Sequence, residues 1–142
     1  MAETYGAFSM ITVEQAVKTT INRFVYKSDG SKDNWSFLDD DVPTIYGDCE
    51  DFSFAVMRLF FGSIRATFKA LWRKEAKLYY CRVYSQGSYY GHAIGEINGK
   101  FFDNAGVTRY GMNEFHYVIQ HSVEPCSFAF IVWKFAISWF RS

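Results

Sequence analysis

Hydrophobic positions recur at helical period in the first half of the chain and at the period of a strand in the second. Val13, Val17, Ile21, Phe24 and Val25 follow Thr12-Val13-Glu14-Gln15, which has the form of a capping box, with Gln15 able to reach back to the Thr12 N–H. The pattern predicts a helix over 12–27. Residues 28–48 are polar and rich in turn formers, and long loops of this kind in compact domains are usually functional. From Glu50 to Phe61 the run Phe52, Phe54, Ala55, Val56, Met57, Leu59, Phe60 and Phe61 is apolar nearly all round, the pattern of a central, buried helix. Gly62-Ser63 breaks it, and a more amphipathic helix is expected over 64–76.

Beyond that point the periodicity changes. Leu78–Tyr84, Tyr89–Ile97, Lys100–Asn104, Phe115–His121 and Ser127–Phe135 are aromatic and β-branched with turn residues between, and read as strands. Helices first and strands after predict an α+β domain, with the N-terminal helices packed on one face of an antiparallel sheet. Residues 1–142 are expected to form a single domain, since halving the chain would leave two marginal cores.

Composition narrows the function classes. Hydrophobic residues make up 49% of the chain, with 15 Phe, 10 Tyr and 4 Trp, enough for a sizeable core. Formal net charge is zero and no Lys/Arg stripe is present, which speaks against nucleic acid as a partner. Arg65, Lys69, Arg73, Lys74 and Lys77 have the spacing of a solvated helix face. The three cysteines form no CxxC, so neither a disulfide framework nor a zinc site is indicated. His116 and His121 fall on opposite faces of their strand and make no metal pair. Met1-Ala2-Glu3-Thr4-Tyr5 lacks the features of a secretory signal, so a reducing, cytoplasmic setting is expected. Ser127 to Phe140 is strongly apolar but interrupted by Lys134 and too short to cross a bilayer, so no transmembrane span is expected. It reads as buried strand, with a surface for a protein partner or a membrane as the alternative.

The candidate chemistry centres on Tyr46-Gly47-Asp48-Cys49-Glu50-Asp51-Phe52. A cysteine in the first turn of a helix feels the positive end of the dipole, which favours thiolate. Read alone, Cys49 would be a structural cysteine, as Cys81 and Cys126 are expected to be. Later residues change that. Asn98-Gly99 signals a two-residue type I′ hairpin, which sets Ile97 against Lys100, Gly95 against Phe102 and Ile94 against Asp103. Strand parity then puts His92 and Asp103 on one face as diagonal neighbours, and turns Asn104 to the other. A thiol of ordinary pKa about 8.5 needs a base to take its proton and a carboxylate to orient that base. Cys49, His92 and Asp103 supply the three roles. The backbone N–H at Cys49 is a candidate oxyanion donor, with Trp35 or Asn34 as a second. The acids Asp48, Glu50 and Asp51 should raise the thiol pKa. Either they cap the helix with side chains turned from the sulfur, or they bind a cation such as Ca²⁺ that offsets their charge. The tyrosines Tyr79, Tyr80, Tyr84, Tyr89 and Tyr90 are core or the wall of a substrate groove.

Gly47-Asp48-Cys49-Glu50-Asp51-Phe52, Gly91-His92-Ala93 and Phe102-Asp103-Asn104 together resemble the bacterial transglutaminase-like cysteine proteinases, over roughly residues 33–105. The resemblance implies a papain-like α+β fold and a Cys–His–Asp triad at Cys49, His92 and Asp103. It implies peptide or amide chemistry on a protein or peptide substrate, with no required cofactor. It also implies calcium dependence in some members through acids corresponding to Asp48, Glu50 and Asp51. Hydrolysis and acyl transfer to an amine both remain open. So does a catalytically inactive relative that inhibits or scaffolds a partner through its aromatic surface or apolar C-terminus. A short chain without an export signal would suit a phage or mobile-element protein.

Overall fold

The computed structural model describes residues 11–27, 44–107 and 123–141. In these segments the chain runs α1 (Val13–Arg23), β1 (Phe24–Tyr26), β2 (Ile45–Gly47), α2 (Cys49–Phe61), α3 (Ile64–Trp72), β3 (Ala76–Ser85), β4 (Ser88–Ile97), β5 (Lys100–Asp103), β6 (Gly106–Val107), β7 (Glu124–Pro125) and α4 (Phe128–Arg141). Five strands form an antiparallel sheet in the order β6-β5-β4-β3-β7, and β1 and β2 form a separate parallel pair. The architecture is α+β, as the change of hydrophobic period predicts. The expected strand over 115–121 and the candidate donor Trp35 lie outside the described residues.

Each helix start follows from a side chain that satisfies orphan N–H groups. The Thr12 hydroxyl accepts from Gln15 N–H at 3.0 Å, and Gln15 Oε1 accepts from Thr12 N–H at 2.8 Å. α1 then buries Val13, Ala16, Val17 and Thr20, one stripe at helical spacing. It ends four residues short of the predicted boundary. Phe24 turns to an extended conformation and sets its ring edge-on to Phe52 at 5.1 Å, and the β-prone run Phe24-Val25-Tyr26 pairs with Ile45–Gly47 instead. The end of the long 28–48 loop is therefore strand. α3 begins at a Ser63 cap after Gly62, which closes α2 in the left-handed region at φ 93°. It stops at Trp72 rather than 76.

The largest correction concerns the C-terminal apolar run. Ser127 to Phe135 is not strand: Phe128–Arg141 is helix, with the Ser127 hydroxyl accepting from Phe130 N–H at 3.1 Å. Its inward positions are Ile131 and Ser138, with Phe128 and Phe135 half-buried, spaced 3, 4 and 3. Phe135 packs edge-on against Phe54 and Phe68, and Phe128 against Phe68 and Trp72. The outward face is also apolar, with Trp139 73% and Phe140 80% exposed. That second apolar face hides the helical period in the sequence. No helix among the described residues is long and apolar enough to cross a membrane.

The main core lies between the helices and one face of the sheet. It joins Phe52, Phe54, Val56 and Met57 of α2 to Leu78, Ala93, Ile97 and Phe102 of the strands, with Val17 and Ile131 closing the sides. Asn98 (φ 50°) and Gly99 (φ 87°) form the predicted type I′ turn, and the register is Gly95 opposite Phe102 and Ile97 opposite Lys100. Gly95 is required by that register. A Cβ there would lie 2.4 Å from Cζ of Phe102, whose ring fills the space. On the opposite face of the sheet Cys81 and Ile94 form a smaller cluster with Phe101 and Val123.

Candidate active site

The site assembles at the start of α2 and the end of β5. Asp48 is the N-cap of α2: its Oδ1 accepts from Asp51 N–H, and Asp51 Oδ2 accepts from Asp48 N–H, both at 3.2 Å. Gly47 makes room for this reciprocal cap, since a Cβ there would lie 2.7 Å from the Asp51 Cβ and 2.8 Å from its Oδ2. Cys49 is thereby the first residue of the helix and half-buried.

His92 and Asp103 meet as the hairpin register predicts. His92 Nε2 is 2.9 Å from Asp103 Oδ2. Asp103 is 1% exposed, and its Oδ1 accepts from Ala105 N–H at 2.8 Å, so both carboxylate oxygens are engaged and the side chain is fixed. Asn104 stands in the exposed turn beyond β5. The carboxylate nearest the imidazole is thus Asp103, the residue parity selects.

Cys49 comes to the same place. Its sulfur takes a hydrogen bond from the backbone N–H of Ala93, the residue after His92. β5 pairs only with Gly95–Ile97 of the longer β4, which leaves the backbone before Gly95 open for the sulfur to approach. Cys49, His92 and Asp103 line one cleft of about 520 Å³, together with Tyr26, Tyr84 and Tyr90. A larger cleft of about 750 Å³ lies elsewhere, between the end of α3, β3 and the start of α4, and its described lining residues include Cys126 but no histidine or carboxylate.

The electrostatics run against a resting thiolate. Burial pushes the Cys49 thiol far above its ordinary value, and the charges of Glu50 and Asp48 push it further. The Ala93 N–H acts in the opposite direction and is outweighed. The cause is visible in the geometry. Asp48 and Asp51 turn into the cap, but Glu50 is buried beside the sulfur, and the thiol donates to its Oε2 at 3.6 Å. Of the three acids expected to turn away, Glu50 does not. Among the described residues no group of three His, Cys, Asp or Glu side chains could hold a metal ion.

Two contributors, the Ala93 N–H and Tyr26, were not legible as site residues, and for Glu50 only the direction of the side chain was not. The Ala93 N–H carries no side-chain signal. Glu50 as acceptor depends on its rotamer. Tyr26 lies in a segment whose periodicity reads as helix, and reaches the cleft only because β1 pairs with β2, Tyr26 opposite Gly47.

Compared with known proteins, the chain matches no family model, no curated protein and no solved structure.

Proposed function

We propose that the protein is a thiol-dependent hydrolase or acyltransferase of papain-like, transglutaminase-like architecture, acting on peptide or amide bonds. The observation that carries this reading is the His92–Asp103 pair at 2.9 Å lining the same cleft as Cys49, whose sulfur is hydrogen-bonded by the next residue along, Ala93. An ionised Asp103 accepts only, so Nε2 carries the proton of that bond and Nδ1 is the basic nitrogen. In the proposed reaction the Cys49 sulfur bonds to the substrate carbonyl carbon while its proton passes to Nδ1 of His92. The imidazolium then gives that proton to the amine nitrogen as the C–N bond breaks, leaving a thioester on Cys49. Water or a second amine, losing a proton to His92, attacks the thioester; the C–S bond breaks, the proton returns to sulfur, and an acid or a new amide is released. Backbone N–H groups at the start of α2 are the proposed oxyanion donors.

One observation favours a second reading. A buried thiol whose hydrogen is directed to Glu50 is a poor resting nucleophile, as in a relative that kept the fold and lost turnover. Such a protein would bind a partner, with the apolar outer face of α4 as the contact surface.

Incubation with a peptide library, with and without a fluorescent primary amine, separates the two. The enzyme reading expects cleaved or amine-labelled peptides whose formation is abolished by Cys49→Ala and reduced by about 10²-fold or more in His92→Ala. Absence of any Cys49-dependent product across the library would select the binding reading.

A further inference from the structure

The cleft beside Cys49 is unusual in what surrounds it. Tyr26, Tyr84 and Tyr90 line it, each roughly half exposed, and no lysine or arginine is among its described lining residues. Glu50 Oε2 lies 3.6 Å from the Cys49 sulfur, and Asp48 caps the same helix end. The field they produce reaches the rim: the Tyr26 phenol is raised first by burial, then by the charges of Cys49, Asp48 and Glu50. Aromatic faces attract cations through the ring quadrupole, and a cleft lined by one sign of charge concentrates ions of the other. The neighbouring rings already do this. The Arg82 guanidinium lies over the Tyr89 ring at 4.6 Å, and Tyr89 packs on Tyr84 at 4.9 Å.

We infer that this cleft is a binding site for a cationic group, an alkylammonium or guanidinium carried by the substrate next to the reacting carbonyl. The inference deepens the thiol-hydrolase reading by naming its substrate class, and its chemical basis is independent of turnover. A lysine- or arginine-like side chain would lay its charge against the Tyr84 and Tyr90 faces, drawn by the field of Glu50 and Asp48 from the Cys49 end of the cleft. A carboxylate at the same position would meet the repulsion that raises the Cys49 thiol.

Three thiol reagents of equal reactive group and different charge test this without any substrate. Rates of Cys49 modification by trimethylammonioethyl, methyl and sulfonatoethyl methanethiosulfonate are measured by peptide-mapped mass spectrometry, which separates Cys49 from Cys81 and Cys126. Each rate is divided by that of the same reagent with 2-mercaptoethanol. The ratio of cationic to anionic reagent cancels the thiolate fraction, so a high thiol pKa does not affect it. The expected normalised ratio is about tenfold or more above one, falling toward one in 0.5 M salt, in the Tyr84→Ala/Tyr90→Ala double variant and in Glu50→Gln. A ratio at or below one in the unaltered protein overturns the inference, as does a raised ratio indifferent to both salt and Glu50→Gln. A raised, salt-sensitive ratio in a protein without turnover upholds the cation site and removes the hydrolase reading. Turnover with a ratio of one does the reverse.

Discussion

At the scale of single residues, the reactivity of Cys49 is a contest between a helix start and its own neighbours. Burial strips the thiolate of water, and Glu50 and Asp48 repel what charge remains, so the dipole and the Ala93 N–H are overruled. Glu50→Gln removes a repelling charge and leaves only a neutral, weaker acceptor for the thiol proton, so the Cys49 pKa falls, though burial keeps it above that of a free thiol. The pH profile of iodoacetamide alkylation at Cys49 should move to lower pH. At fixed pH the rate should rise roughly tenfold for each pH unit by which the midpoint falls. An unmoved profile would remove Glu50 from this role. The chemistry-bearing residue types here were legible because Gly-Asp-Cys-Glu-Asp is a local pattern. Asp48 and Asp51 cap because caps depend on spacings of three. The direction of Glu50 was not legible, since the same side chain can face water or sulfur depending on how α2 meets β4.

At the scale of elements, the hairpin β4–β5 is where sequence and structure agree most closely. Asn98-Gly99 selects a two-residue turn, the turn sets the register, and the register brings Asp103 to His92. Gly95→Ala tests how tightly that chain of causes is held. The added methyl group would overlap the fully buried Phe102 ring, next in sequence to Asp103. A loss of about 1–3 kcal/mol is expected in urea denaturation, together with slower Cys49-dependent turnover as β5 shifts. α4 is the contrasting case. Its residues have high β propensity and no alternation of polarity, so length and periodicity favour nothing in particular. Its inward spacing of 3, 4 and 3 appears only once Phe54 and Phe68 are in place to bury it. Ile131→Ala should cost about 2–5 kcal/mol, because Ile131 is in the main core. Trp133→Ala should cost a small fraction of that. Ile131 and Trp133 would share a face in a strand, so comparable losses at the two positions would contradict the helix.

At the scale of the whole molecule, the buried thiols tie stability to alkaline pH. Burial raises Cys81 and Cys126 from the ordinary thiol range to about 12, with Asp103 adding to the first and Glu50 to the second, and Cys49 is raised further. Between the unfolded and folded values the unfolded chain has released protons that the folded chain retains, so unfolding is favoured as pH rises. The melting temperature should hold up to about pH 8.5–9 and then fall progressively toward pH 12, and Cys126→Ala should make that fall shallower. A melting temperature independent of pH over that range would contradict the burial of these thiols. The same scale separates what local sequence settles from what packing settles. Helix caps, the type I′ turn, strand parity and hence the His92–Asp103 pairing rest on contacts within about ten residues, where spacing alone imposes geometry. The end of α1 at Phe24, the helical state of Phe128–Arg141, the approach of the Cys49 sulfur to Ala93 and the rotamer of Glu50 rest on contacts between segments distant along the chain or on how the helices meet the sheet. No local pattern encodes those, because each is decided by which surface is left to bury once the helices and the sheet have met.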